Sequence, residues 1–134
     1  MRVFLDANIL VSSFSFDGVT RRLVEHLIGG HDVLVSEQVM EEFRRVSTVK
    51  IKANPKMIDG FIQEFLNIAE VISPPFELQY TVRDPTDIPI LSAAIKGRAD
   101  VLATGDKDLL DLIAPPLPIL KPRALYDLLF SQGK

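Results

Sequence analysis

The sequence contains no cysteine. Disulfides, thiolate metal sites and cysteine nucleophiles are therefore excluded. Histidine is scarce, with only His26 and His31 able to supply a ring nitrogen to a metal. No apolar run approaches the ~18 residues needed to span a bilayer, so no membrane segment is expected. The first apolar stretch is broken by Asp6 and Asn8 and does not read as a signal peptide. A cytoplasmic location is the expectation. Neither sign of charge dominates: the net charge is −3, which gives no bulk attraction to nucleic acid, although a local patch can still steer a polyanion.

With 47% hydrophobic and 25% charged residues, the chain reads as globular rather than disordered. Its 134 residues suit one domain, 1–134, with one sizeable core. No repeat, low-complexity tract or linker interrupts it. Residues 2–5 read as a short buried strand, followed by a polar stretch, "SSFSFDG". "VTRRLVEHLIGG" places Val19, Leu23, Leu27 and Ile28 on one helical face and ends in two glycines, a stop signal. "DVLVS" is a second strand. "SEQVMEEFRRVS" is a second helix with Ser36 as its N-cap. Asn54-Pro55 opens a third helix, "EVIS" is a short strand, and 78–82 is strand-like. "DPTDIPILSAAIKGRAD" becomes helical, with Thr86 as N-cap and Pro89 in the first turn, where its missing N–H has no partner to lose. "DVLAT" (100–104) is a strand, "GDKDLLDL" a short helix, "LPILK" an edge strand and "PRALYDLLF" a closing helix. Strands alternating with helices indicate an α/β layer fold with a mainly parallel sheet.

The acids fall at informative places in such a fold. Asp6 directly follows strand 2–5, and Asp106 follows strand 100–104 after Thr104-Gly105. Open parallel sheets bind ligands beyond the carboxyl ends of their strands. Asp87, at a helix start, can belong to the same edge. A fourth acid must come from Glu41 or Glu42. Val39, Met40, Phe43 and Val46 form the apolar stripe of that helix. At about 100° per residue, Glu41 points almost opposite the stripe, whereas Glu42 lies about 90° from it, at the boundary of core and solvent. Clustered carboxylates raise one another's pKa, and a bound divalent cation removes the conflict. Oxygen-only ligation favours Mg2+ or Mn2+ over zinc. Each acid alone also has a plainer role, in a turn or as a helix cap. Asp84 and Asp108 are assigned to those roles. The segment 44–56 carries Arg44, Arg45, Lys50, Lys52 and Lys56 and no acid. It is either a solvated surface or a contact for phosphates.

Four stretches together resemble the PIN-domain nucleases, and most closely the VapC-like toxins of toxin–antitoxin systems. They are "FLDANIL" (4–10), "SEQVMEEFRRV" (36–46), "DPTDIPILSAA" (84–94) and "ATGDKDLL" (103–110). The resemblance implies a three-layer α/β sandwich. It implies that Asp6, Glu42, Asp87 and Asp106 form an acidic site holding Mg2+ or Mn2+, with Asn8 and Thr104 supporting it. It further implies cleavage of RNA, frequent homodimers and a protein antitoxin. Arg44, Arg45, Lys50 and Lys52 are candidate RNA contacts; neither the segment 44–56 nor Arg83 has a clear family match. Two other readings stand beside it. One is a catalytically silent PIN module that binds RNA or an antitoxin. The other is a receiver-type phosphoacceptor domain, for which Thr104 and Lys107 are present but the early pair of adjacent acids is missing.

Overall fold

The computed structural model describes residues 1–73 and 88–131. In chain order they form β1 (Arg2–Leu5), α1 (Ala7–Ser15), α2 (Val19–Gly30), β2 (Asp32–Ser36), α3 (Glu37–Val49), α4 (Pro55–Ile68) and β3 (Glu70–Ile72). After residues 74–87 come α5 (Ile88–Lys96), β4 (Val101–Ala103), α6 (Lys107–Leu110), β5 (Ile119–Leu120) and α7 (Pro122–Ser131). The strand-like stretch 78–82, the Thr86 cap, Arg83, Asp84 and Asp87 lie outside the described residues.

The strands form one sheet in the order β3-β2-β1-β4-β5, and every pairing is parallel. Parallel strands buried on both faces read as near-continuous apolar runs. Val3, Phe4, Leu5, Leu34, Val35, Leu102 and Ala103 accordingly have almost no exposure. The crossovers from β1 to β2 and β2 to β3 step one way along the sheet, and the next, through α5, reverses direction. Right-handed crossovers then place α5 on the face opposite α1–α4. The packing agrees: α5 lies on β2, β3 and β4, whereas α1 packs on α2 and α3, α3 on α4, and α2 on α7. The result is a three-layer α/β sandwich.

The expected caps are present. Ser36 Oγ accepts the Val39 N–H at 3.2 Å, and Asn54 Oδ1 accepts the Lys56 N–H at 2.8 Å. α1 is a correction. The stretch after β1 reads in sequence as polar and irregular, yet it is a nine-residue helix. Its serines are mediocre helix formers, but Asp6 caps it and Ala7, Ile9, Leu10 and Ser13 present a buried face. Phe14 meets Phe43 of α3 edge-on at 5.5 Å between ring centroids. Tertiary packing therefore outweighs weak local propensity.

Order reverses between β1 and β4, so their carboxyl ends flank the topological switch point where ligands bind in such sheets. The opposite end of the sheet is closed by Arg2. Its guanidinium donates to the Gly97 carbonyl at 2.7 and 3.0 Å and to Glu70 at 2.6 Å.

Candidate active site

Asp6 stands at the end of β1 and Asp106 two residues beyond Thr104, the residue that follows β4. The Asp6 N–H donates to the Ala103 carbonyl at 3.0 Å, which ties the two strand ends together. Asp6 is only 5% exposed. Its Oδ1 accepts the Ala7 N–H at 2.7 Å. Its Oδ2 accepts the Thr104 hydroxyl at 2.7 Å and the Asn8 amide at 3.1 Å. Thr104 Oγ1 in turn accepts the Asp106 N–H at 3.0 Å. Asn8 Nδ2 also lies 3.3 Å from Thr104 Oγ1, and Asn8 Oδ1 accepts the Gly105 N–H at 2.8 Å. Asn8 and Thr104 thus bridge the two loops and fix the Asp6 carboxylate between them.

Burial pushes the Asp6 carboxyl above its ordinary pKa. Hydrogen bonds from Thr104, Ala7 and Asn8 oppose the shift, and the negative charge of Asp106 adds to it. Every partner of Asp6 among the described residues is a neutral donor. A capping role explains the Ala7 contact but not the burial of an uncompensated charge. Asp106 plays two parts as well: its Oδ1 accepts the Asp108 N–H at 3.0 Å and caps α6. This corrects the assignment of the cap to Asp108, which lies inside the first turn.

Both acids open onto a cleft of about 430 Å3 between α1 and α3. Glu42 lines the opposite wall, one helical turn from Gln38 and one from Val46; Glu41 does not line it. The helical phase read from the apolar stripe is therefore correct. Glu42 does not, however, meet the two aspartates. It is paired with Arg45, at 2.6 and 3.3 Å. Among the described residues, no group of three or more His, Asp or Glu side chains converges to hold a metal. Asp6 and Asp106 are brought together, Glu42 faces them across the cleft, and Asp87 lies outside the described residues. Arg44 is also neutralised, by Asp59 at 2.7 Å, while Lys50, Lys52 and Lys56 are exposed. His26 and His31 contact each other, with ring centroids 5.5 Å apart, and take no part in the cleft.

The donor set fits a hard divalent ion. It is all oxygen, it holds a buried carboxylate with no cation beside it among the described residues, and a second carboxylate is coupled to the first. Asp6 and Asp106 would hold the ion, with Asn8 and Thr104 orienting Asp6.

A parallel sheet with paired acids at its switch point is the architecture of a small α/β domain that binds its ligand beyond the carboxyl ends of the strands. The chain belongs to the PIN domain family, whose family model matches residues 2–108. PIN domains are generally nucleases and typically use divalent metals, which supports a hydrolase. Solved structures share its fold, among them the following two. One is the crystal structure of VapBC2 from Rickettsia felis bound to a DNA fragment from the promoter; the match is 22% identical with a TM-score of 0.63, over 90% of this chain and 98% of that one. The other is the PIN domain of human SMG5, 13% identical with a TM-score of 0.52 over the full length of both. No curated protein matches the sequence. The strand order also differs from the 2-1-3-4-5 of receiver domains, so the phosphoacceptor reading is set aside. No helix among the described residues is long and apolar enough to cross a membrane.

Glu41 and Glu42 provide a control internal to one helix. Glu42→Gln is expected to lower cleavage at least about tenfold, the range for a residue that supports a metal shell. Glu41→Gln is expected to leave it within about twofold, because a surface substitution remote from the cleft changes little. Initial rates on one RNA substrate measure both. The reverse order would remove Glu42 from the site.

Proposed function

We propose that the chain is a metal-dependent endoribonuclease that hydrolyses phosphodiester bonds of single-stranded RNA, as the toxin of a toxin–antitoxin pair. The observation that carries this reading is the coupling of buried Asp6 to Asp106 through Thr104 at the switch point of a PIN-domain sheet. Likeness to a chain of a VapBC2 structure supports the toxin assignment and a protein antitoxin as partner. A homodimeric assembly belongs to the same proposal.

When bound, Mg2+ or Mn2+ would activate water, relieve phosphate charge and assist the leaving oxygen. The chain's own residues do the rest. Asp6 is held rigid by three hydrogen bonds, so its carboxylate need not reorganise as the ion and substrate arrive. Asp106 offers its Oδ2, which accepts no hydrogen bond among the described residues. Asp87 and Glu42 complete the shell, serve a second ion or orient the attacking water. For Glu42 this requires release from Arg45, a pair exposed on both sides and therefore worth only ~0–1 kcal/mol. Lys50 and Lys52, with Arg44 and Arg45, contact backbone phosphates and supply affinity without sequence choice.

The test is cleavage of an end-labelled single-stranded RNA by the purified chain with Mg2+, with Mn2+ and with EDTA. Undiminished cleavage by rigorously metal-free protein would overturn the mechanism. Binding of RNA with no cleavage under any metal would instead establish the silent module.

A further inference from the structure

The chain has eight phenylalanines, and four of them form one aromatic cluster between α1, α3 and α4. Phe14, Phe43, Phe61 and Phe65 meet one another at centroid distances of 4.9–5.8 Å. Phe16, two residues beyond Phe14, does something else. It is 63% exposed and contacts no other ring among the described residues. It nevertheless lines the same cleft as Asp6 and Asp106. Its backbone is fixed as the C-cap of α1, with its N–H donating to the Ser12 carbonyl at 3.0 Å. A large aromatic side chain is thus held at the mouth of the candidate active site without a packing role.

The charge of the cleft says what it suits. Among the described residues no lysine or arginine lines it, and Asp6, Asp106 and Glu42 do. The described walls offer a polyanion no cationic side chain of their own, so the contacts they add beyond the ion at Asp6 and Asp106 are uncharged. Phe16, with Val11 and Val46 beside it, offers the apolar surface on which an unpaired base stacks. Asp6 and Phe16 lie at the two ends of α1. At 1.5 Å rise per residue, that is a separation of roughly 15 Å along the helix. A base reaching Phe16 belongs to a nucleotide neighbouring the scissile phosphate, not to the scissile nucleotide itself.

We propose that Phe16 is a substrate-binding residue that stacks on one unpaired base of the nucleic acid strand, one or two nucleotides from the bond cut at Asp6 and Asp106. This rests on the nuclease reading above and gives its preference for single strands a physical basis, since their bases are free to stack.

The experiment pairs Phe16 variants with a scan of abasic residues through a single-stranded RNA. Phe16→Ala is expected to raise KM roughly tenfold with kcat within about twofold, the magnitude of one lost base–aromatic stack. Phe16→Tyr restores wild-type KM, and Phe16→Leu does not. One abasic position raises the wild-type KM by the same factor and leaves the Phe16→Ala enzyme unchanged, because stack and base are two halves of one contact. The loss is the same at low and high salt, unlike a phosphate contact. Additive losses at every abasic position overturn the proposal. So does a Phe16→Leu enzyme equal to wild type, which would make the patch a plain apolar surface of the kind a peptide covers. Anisotropy of the labelled RNA, read on the same variants without cleavage, separates the two readings. Binding with the Phe16 pattern but no cleavage under any metal retains the stack and overturns the nuclease; no RNA binding overturns both.

Discussion

Asp6→Asn is expected to lower single-stranded RNA cleavage roughly a thousandfold, about 4 kcal/mol of barrier. The substitution changes one oxygen into an amide. It keeps the size of the side chain and an oxygen able to cap α1 through the Ala7 N–H. It removes the negative charge at the end of β1 and one donor to a cation. EDTA should bring the wild-type rate down to the level of the variant and leave the variant's rate unmoved, since both treatments abolish the same function. Initial rates for wild type and variant, purified side by side, measure it. Equal rates in the two preparations would show contaminating nuclease or a site elsewhere. A variant that still responds fully to Mg2+ would remove Asp6 from the metal shell.

Much of the arrangement behind this expectation is readable without coordinates. Asp6 and Asp106 each come after a short apolar run, and parallel strands deliver the residues at their carboxyl ends to one edge of the sheet. That logic needs only strand polarity, so it holds. The phase of α3 is readable for a similar reason: Val39, Met40 and Phe43 are buried, which leaves Glu42, not Glu41, on the cleft. α1 is not readable, because its three serines and Asn8 mask a helical face that forms only against Phe43 and its neighbours. The Glu42–Arg45 pair is hidden too. Sequence spacing of three permits the contact, but it does not say whether a glutamate turns to its own helix or across a cleft. Asp106 and Asp6 show a further limit. In sequence each reads as either a cap or a site residue, and in the fold each caps a helix while facing the cleft. Exposed Phe16 carries no signal at all, since an aromatic residue in "SSFSFDG" reads as core or loop until its surroundings are known.

The last expectation concerns stability, where cap and metal ligand part company. Burial raises the pKa of Asp6 above its unfolded value. A raised acid contributes stability that is fully present below the unfolded pKa and is lost as pH rises through the folded one. Above its folded pKa the metal-free protein carries an ionised, buried carboxylate at a cost. Asp6→Asn removes that cost and introduces another, because the new amide nitrogen replaces the Oδ2 that accepts from Thr104 and Asn8. Metal-free Asp6→Asn is expected to melt at or above wild type near pH 7, and its advantage should shrink as pH falls and wild-type Asp6 takes up a proton. Mg2+ at a hundred times its Kd should stabilise wild type by about 2.7 kcal/mol, or several degrees in a domain of this size, and the variant by much less. Comparisons with metal must be made at one pH, since protons compete for the same oxygens. Melting curves for both proteins at three pH values, with and without Mg2+, decide the matter. If metal-free Asp6→Asn is strongly destabilised at every pH, and Mg2+ shifts both proteins equally, Asp6 serves only to cap α1 and the acidic site must be sought elsewhere on the sheet's edge.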